Sequence, residues 1–387
     1  MPRRLTARDI MDKLVSFPTV SRDSNLDLID WVEDYLDGHG VRATRVWDAG
    51  RDKASLYANV GPQVEGGIVL SGHTDVVPVD GQDWTSDPFT VTERNGRLYG
   101  RGTCDMKGFD ALALAAVPLA LERGVKRPLQ IALSYDEEVG CTGAPPMIDE
   151  MVAHLPRAAA AIIGEPSTMQ VVTGHKGGAG YRVRMRGFEV HSSIMHQGVS
   201  AVMEAARLID WANRMNAENR AAAPGPLAAD FDPPWTTLHV GMVQGGTAHN
   251  ITAKDCEFLL SWRVVPGESS EDWGARFLAE VARIEAEMKA VRPEAGIDLE
   301  KYFDVPALAQ EDAGEAERLT RMLTGDNGTH AVSYATEAGQ FQARGYSAVV
   351  CGPGDIAQAH QPDEYIEAAQ LAAGEAFMER LVDHLCR

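Results

Sequence analysis

Four short apolar runs in this 387-residue chain each end in acidic residues or histidine. They are residues 68–70, 129–135, 158–163 and 348–351. Segments of helical composition separate the runs, and this alternation predicts an α/β fold with a mixed, mostly parallel sheet between helices. In such sheets ligands bind outside the carboxyl ends of the strands. We therefore expect the four run ends to converge on one site.

The stretch from Gly67 to Lys107 carries the first part of the expected site. It begins with GIVLSGHTDVVPVD and ends in GRGTCDMK. His73 and Asp75 leave an apolar strand two residues apart, and therefore on the same face, while Asp105 follows on a glycine-rich turn. Because burying a histidine and two acids is costly unless something uses them, this stretch indicates a metal site.

Further candidate ligands follow the other three runs. They are Glu137, Glu138, Glu165 and His360. Carboxylates that meet repel one another, and a cation relieves that repulsion. Histidine and carboxylate donors without thiolate suit Zn²⁺, and also Co²⁺ or Mn²⁺. Metal-free explanations remain open at this point: satisfied histidines, a solvated Asp-Glu-Glu turn, and Asp105 as a helix cap.

A composition change near Lys176 marks a domain boundary. The residues from 178 to 303 follow a strand–helix–strand–strand–helix–strand order, which is typical of a ferredoxin-like unit. We predict that this unit is inserted into a first domain formed by residues 1–177 and 304–387. A long loop at 221–234, rich in alanine and proline, matches no pattern that predicts a role.

Charge and composition exclude several classes of function. The formal net charge of −20 disfavours nucleic acid and anionic membrane surfaces as partners. No apolar run approaches the ~20 residues that span a bilayer, and no export signal is visible. Five scattered cysteines without CxxC spacing predict a reducing, cytoplasmic location. A serine hydrolase is disfavoured because the chain has no GxSxG nucleophile elbow.

Long motifs in the chain resemble the M20 family of metallo-aminoacylases and peptidases. The matching pieces are SGHTDVVP, WTSDPF with GRLYGRGTCDMKG, SYDEEVGCTGA, IIGEPS and GPGDIAQAHQPDEYI. The resemblance implies a zinc-peptidase-like catalytic domain that holds two Zn²⁺ ions, with an inserted lid and dimerisation domain. It further implies a homodimer formed through the inserted domain.

The resemblance also implies a role for each candidate residue in the catalytic domain. One Zn²⁺ would bind His73 and Glu165, the other Glu138 and His360, with Asp105 between them. Asp75 would orient the His73 ring, as carboxylates behind metal-bound histidines do. Glu137 would be the general base and later the proton donor to the leaving amine.

Other roles that the resemblance implies concern the substrate. His191 and Asn250 would donate hydrogen bonds to the developing oxyanion. Arg263 would bind a substrate carboxylate, although a strand surface charge explains it equally simply, and Glu337 would meet a substrate ammonium group. His196 and His249 are interpreted as ordinary surface residues.

The segment AHQPDEYI, with ATEAGQF upstream, is most similar to the acetylornithine deacetylases within that family. This similarity implies hydrolysis of N²-acetyl-L-ornithine to L-ornithine and acetate, a step in arginine biosynthesis. The alternatives are succinyl-diaminopimelate desuccinylase, another N-acyl-amino-acid deacylase or a dipeptidase of the same family. A non-catalytic binding module is a further alternative, which the intact Glu137 disfavours.

Overall fold

The computed structural model describes residues 4–387 and divides the chain into two compact units. The first, here called the sheet unit, comprises Met1–Gly174, Gln310–Ala331 and Thr336–Arg387. The second, the inserted unit, comprises His175–Ala309 and Val332–Ala335. The catalytic and lid roles given to the domains stay predictions.

Both units are built from helices and strands that follow the apolar patterns of the sequence. The helices are α1 Ala7–Val15, α2 Leu26–Gly38, α3 Lys107–Arg123, α4 Ala144–His154, α5 Ala201–Ala221, α6 Ser270–Val291, α7 Glu315–Thr324, α8 Ala338–Ala343 and α9 Ala368–Leu385. The strands are β1 Ala43–Trp47, β2 Ala54–Val60, β3 Ile68–His73, β4 Thr92–Arg94, β5 Arg97–Tyr99, β6 Leu129–Ser134, β7 Ala160–Pro166, β8 Val172–His175, β9 Gly177–Arg186, β10 Thr237–Gly245, β11 Asp255–Val264, β12 Gly296–Val305, β13 His330–Val332, β14 Ala348–Gly352 and β15 Tyr365–Glu367.

The main sheet has eight strands in the order β1-β2-β6-β3-β7-β14-β8-β13. Its centre is parallel, because β3 pairs in parallel with both β6 and β7, and β7 pairs in parallel with β14. The strands on either side of this centre, β2 and β8, pair antiparallel to it. The predicted α/β class with a mixed sheet is confirmed, and the four apolar runs are its four central strands.

Helix α3 packs against these central strands and brings the glycine-rich turn to their carboxyl ends. Nearly all of its residues from Lys107 to Ala120 are buried, as its alanine and leucine content predicts. Phe109 packs directly on the backbone of β7, where a Cβ on Gly164 would lie 2.0 Å from the ring. A side chain at Gly164 would therefore displace the helix that follows Asp105.

A separate sheet of three short strands, in the order β15-β5-β4, was not predicted. Each strand has only three residues, which is too short for an alternating pattern to be recognised. This sheet joins residues 97–99 to residues 365–367 by antiparallel pairing. It thereby links the motif around Asp105 to the end of the chain.

The inserted unit is a four-stranded antiparallel sheet in the order β10-β11-β9-β12. With α5 and α6 it follows the βαββαβ sequence order, and the first and third strands are central as a ferredoxin-like unit requires. Strand β11 alternates buried and partly exposed residues, so its apolar face meets its own core.

Between residues 4 and 387, none of the helices combines the length and the apolar character needed to cross a membrane.

Candidate metal centre

The carboxyl ends of the central strands bring the predicted ligands together in the sheet unit. His73 is the last residue of β3 and Glu165 the penultimate residue of β7. His73 pairs with Ser134 at the end of β6, so the turn that carries Glu137 and Glu138 begins beside it. The expected convergence of the strand ends is therefore observed.

Asp105 lies between the two histidines. Its Oδ1 atom is 3.0 Å from Nε2 of His73, and its Oδ2 atom is 3.2 Å from Nε2 of His360. The side chain is almost fully buried, with both oxygens directed at an imidazole. A carboxylate placed in this way can contribute one oxygen to each of two adjacent cations.

Each histidine has a second carboxylate neighbour. Nε2 of His73 is 3.8 Å from Oε1 of Glu165, and Nε2 of His360 is 3.0 Å from Oε2 of Glu138. Asp105, which contacts both histidines, therefore lies next to both histidine–glutamate pairs. The assignment of these residues to two metal ions stays a prediction. Ligand atoms of His73, Glu137 and Glu165, and of His73, Asp105 and Glu138, lie within 4.8 Å of one another.

Electrostatics favour a cation between these groups. Burial raises the pKa of Glu165 well above its usual value, and the nearby Asp105 carboxylate raises it further. Burial and Asp105 also raise the pKa of Glu138 to about 6. Oε1 of Glu138 is buried and has no hydrogen-bond partner among the described residues. This unpartnered oxygen and the crowded carboxylates fit a divalent metal, and the donors include no thiolate.

The two histidines respond to the same carboxylates. Burial opposes protonation of His73, but the hydrogen-bonded Asp105 carboxylate and the nearby Asp75 carboxylate outweigh it and raise the pKa of the imidazole well above its usual value. Hydrogen bonds to Asp105 and Glu138 raise the pKa of His360 to about 10. The positive charges of the imidazolium rings partly neutralise the carboxylates. Bound divalent cations would neutralise the same carboxylates in the metal-loaded protein.

Asp75 lies behind His73 and contacts it through two different groups. Nδ1 of His73 donates to the backbone carbonyl of Asp75 at 2.9 Å, while the Asp75 carboxylate is 3.6 Å from the same nitrogen. The carboxylate instead accepts hydrogen bonds from the backbone N–H groups of Glu137 and Glu138, at 3.1 and 3.4 Å. Ser21 donates to it through Oγ at 2.6 Å. Asp75 therefore holds both the ring and the turn that follows β6.

Glu137 lies near His73 and Glu165 but forms no ion pair with a histidine in the part of the chain that the structure describes. Its Oε1 atom accepts a hydrogen bond from Sγ of Cys141 at 3.2 Å. Burial raises the pKa of its carboxyl to about 8, and the neighbouring Glu138 contributes. A carboxylate near the ligands with a pKa close to neutrality is suited to proton transfer.

Glu337 is buried beneath the strand ends, at the start of α8. Ser134 and Ser71 donate hydrogen bonds to its two carboxylate oxygens, from Ser71 at 3.2 Å. Burial raises the pKa of its carboxyl to about 7. Its predicted contact with a substrate ammonium group stays a prediction.

The remaining predicted residues belong to the inserted unit. The N–H of Ser192, next to His191, donates to the carbonyl of Asn250 at 2.8 Å, so the two predicted oxyanion donors are neighbours there. Both side chains are exposed. Arg263 lies on β11 with its guanidinium 5.5 Å from the centre of the Phe303 ring. The roles given to these residues stay predictions.

Sequence reasoning missed an ion pair beside the centre. Arg101 and Glu364 approach to 2.6 Å, and their side chains are 1% and 0% exposed. Both residues lie inside the long motifs, in GRGTCDMKG and PDEYI. Arg101 stands between two glycines, but Glu364 follows the largely polar segment HQPD, so the local sequence does not mark the two as a buried pair.

Comparison with known proteins agrees with this geometry. The model of peptidase family M20/M25/M40 matches residues 69–384, which span every candidate ligand. The chain belongs to this family. The M20 resemblance is thereby confirmed. The protein is a metal-dependent amidohydrolase that acts on small molecules.

Two curated relatives of this M20 family member are described as acetylornithine deacetylases. The protein of Myxococcus xanthus is 36% identical over 391 residues, covering 98% of this chain and 97% of its own. That of Pasteurella multocida (strain Pm70) is 32% identical over 381 residues, covering 96% of each chain.

Solved structures share the fold. An M20 family metallo-carboxypeptidase from Sulfolobus solfataricus aligns with a TM-score of 0.80 at 15% identity, over 98% of this chain and 99% of the other. A dinuclear metal-binding M20 peptidase from Bacillus subtilis aligns with a TM-score of 0.64 at 15% identity, over 98% and 97%. Both comparisons support the predicted fold class.

Proposed function

We propose that this M20 enzyme hydrolyses N²-acetyl-L-ornithine to L-ornithine and acetate, a step in arginine biosynthesis. The observation that carries the chemistry is Asp105 between two histidine–glutamate groups, with Glu137 beside them. The substrate rests on the two relatives described as acetylornithine deacetylases, which match almost the whole chain.

The metal set of this proposal is two Zn²⁺ ions, with Co²⁺ or Mn²⁺ as possible substitutes. His73 and Glu165 would hold one ion, His360 and Glu138 the other, and Asp105 would contribute an oxygen to each. Bound in this way, the ions would polarise the scissile carbonyl and acidify the attacking water.

Glu137 carries the proton in this proposal. Its carboxylate takes a proton from the attacking water and delivers it to the nitrogen of the leaving amine. The short turn fixed by Asp75 keeps Glu137 at the site while leaving its side chain free of a histidine partner. The neighbouring Glu138 pairs with His360, so the two consecutive acids have separate roles in this proposal.

The substrate contacts of this proposal are those that the family resemblance implies. His191 and Asn250 would donate hydrogen bonds to the developing oxyanion. Arg263 would bind the α-carboxylate through its forked guanidinium, and Glu337 the side-chain ammonium of ornithine.

A homodimer formed through the inserted unit is part of the proposal. Apolar side chains there are exposed by 40% to 67% at Ile194, Met195, Met242 and Val243. Strand β10, which carries the last two, is at the edge of its sheet, where a strand of a second chain could pair with it. A molar mass of about twice the 41.9 kDa chain by light scattering is expected, and a monomer at micromolar concentration would contradict the dimer.

A cytoplasmic location is proposed from the cysteines. All five are free, and four of them are buried. Unpaired thiols persist in a reducing compartment.

Hydrolysis of a substrate panel tests the proposed function. The purified enzyme, loaded with Zn²⁺ or Co²⁺, is assayed with N²-acetyl-L-ornithine, N-succinyl-diaminopimelate, other N-acetyl amino acids and dipeptides, and metal content is measured on the same sample. We expect the highest kcat/KM for acetylornithine. If a metal-loaded sample released no acetate from acetylornithine, the proposed substrate would be wrong. A higher kcat/KM for N-succinyl-diaminopimelate would identify the enzyme as a desuccinylase instead.

A further inference from the structure

The buried pair of Arg101 and Glu364 contacts the backbone of one loop that carries a candidate ligand. Oε1 of Glu364 accepts three backbone N–H groups, from Gly102 and Cys104 at 3.0 Å each and from Asp105 at 3.1 Å. The carboxylate thus anchors the turn that presents Asp105, from a position 259 residues further along the chain. Hydrogen bonds to a charged acceptor are stronger than neutral ones, so the turn is held firmly.

The other side of the pair contacts the loop that carries His360. Nη2 of Arg101 donates to Oε1 of Gln82 at 2.6 Å, and Nε2 of Gln82 donates to the backbone carbonyl of His360 at 3.0 Å. Trp84 donates to the same Gln82 oxygen at 3.1 Å, and its ring lies 5.1 Å from the Arg101 guanidinium. Gln82 is therefore held in one orientation, with its amide N–H directed at the His360 loop.

His360 needs such external support. Its side chain is 50% exposed, so packing does not fix it. Its backbone has a φ of 63°, in the left-handed region that residues with a side chain seldom adopt. A residue in this conformation keeps its place only when its surroundings hold it there.

We propose that Arg101 and Glu364 are positioning residues for the metal centre. Through backbone contacts they fix Asp105 and, by way of Gln82, His360, so that the shared carboxylate and the second histidine face each other before metal binds. Neither side chain contacts a ligand atom, and their effect is on metal affinity. This role rests on the proposed metal centre but not on the proposed substrate.

Metal affinity of chelator-treated full-length protein tests the proposal. Zn²⁺ is titrated calorimetrically into the wild type, Glu364→Gln and Gln82→Ala, and apo-protein unfolding is followed on the same samples. Glu364→Gln keeps an acceptor but removes the charge, and we expect Zn²⁺ affinity to fall about 10- to 100-fold, as for other residues behind metal ligands. Gln82→Ala removes the link to His360 and the acceptor of Arg101 and Trp84. It leaves the Glu364 contacts with the Asp105 turn in place, so we expect a smaller loss.

Glu367→Gln is the matched control. Glu367 pairs with Arg97 at 2.9 Å on the three-stranded sheet that lies next to Arg101 and Glu364 in the sequence, but the pair is partly exposed. Its Zn²⁺ affinity should equal that of the wild type. With excess Zn²⁺, kcat of Gln82→Ala should recover and KM should be unchanged.

Two results would overturn the proposal. One is a lower melting temperature of Glu364→Gln with wild-type Zn²⁺ affinity, which would assign the pair a purely structural role. The other is wild-type Zn²⁺ affinity of Gln82→Ala, which would show that the link to His360 has no effect on the metal centre. Gln82 is partly exposed, and this variant tests the proposal even if Glu364→Gln does not fold.

Discussion

The carboxylate of Asp75 accepts the backbone N–H of Glu137 at 3.1 Å. The same residue accepts the Nδ1–H of His73 on its carbonyl at 2.9 Å. One residue therefore sets the orientation of a candidate ligand and the place of the candidate base. A substitution of Asp75 should therefore displace both His73 and Glu137.

Asp75→Asn should lower kcat about 10- to 100-fold, the range usual for groups behind metal ligands. The N–H groups of Glu137 and Glu138 bind different oxygens of Asp75, and the amide replaces one of these acceptors with an NH₂ donor. Steady-state kinetics with saturating Zn²⁺ measures the effect. Ser21→Ala, which removes one donor to Asp75, is the control and should have a much smaller effect. Equal losses in the two variants would argue against the positioning role of Asp75.

Glu137→Gln and Glu138→Gln should separate proton transfer from metal binding. We expect Glu137→Gln to lower kcat by about 10²- to 10⁴-fold while metal content stays at the wild-type value. Glu138→Gln should lose metal first, because its Oε2 atom belongs to the group around His360. Atomic emission and kcat are measured on the same preparations. If Glu137→Gln kept the wild-type kcat, Glu137 would not be the general base.

His191→Ala should lower kcat by about 10²- to 10³-fold with little change in KM, because an oxyanion donor acts mainly in the transition state. The control is His196→Ala, an exposed histidine of the same short segment. The control should have wild-type kinetics. Similar kcat values for the two variants would contradict the oxyanion role.

Glu337→Gln should change how stability depends on pH. Burial raises the pKa of this carboxyl from 4.5 to about 7, so between these values the folded protein keeps a proton that the unfolded chain has lost. Folding stability of the wild type therefore falls as pH rises through this window. The neutral amide avoids the loss and should gain about 3 kcal/mol relative to the wild type above pH 7.

Urea unfolding of metal-free protein at pH 5 and pH 8 measures this difference. A gap between Glu337→Gln and wild type that does not widen with pH would show that the carboxyl is not protonated in the fold. Acetylornithine kinetics of the same variant test its substrate role, since loss of an ammonium partner should raise KM.

The sequence predicted those parts of the site that depend on local pattern. Apolar runs identified the central strands, and their parallel pairing brought His73 and Glu165 together because the carboxyl ends of parallel strands share one edge. The βαββαβ order of the inserted unit was visible for the same reason, since each element is long enough to show its periodicity.

Contacts between distant residues could not be predicted in this way. Glu364 accepts the N–H of Asp105 across 259 positions, and no local pattern encodes that partner. Likewise, the family resemblance implied that Asp75 supports His73, but only the structure shows that its carbonyl, rather than its carboxylate, makes the short contact. Three-residue strands such as 92–94 escape notice because alternation needs more positions.

The candidate ligands are distributed from His73 to His360, on both sides of the inserted unit. During synthesis, a chain that is still on the ribosome can display His73, Asp105, Glu138 and Glu165 long before it releases His360. Such a nascent chain has an incomplete set of donors and should bind the cation weakly. Metal loading would then come last in the maturation of the enzyme, and a chain that ends before His360 would be inactive however well its sheet had formed.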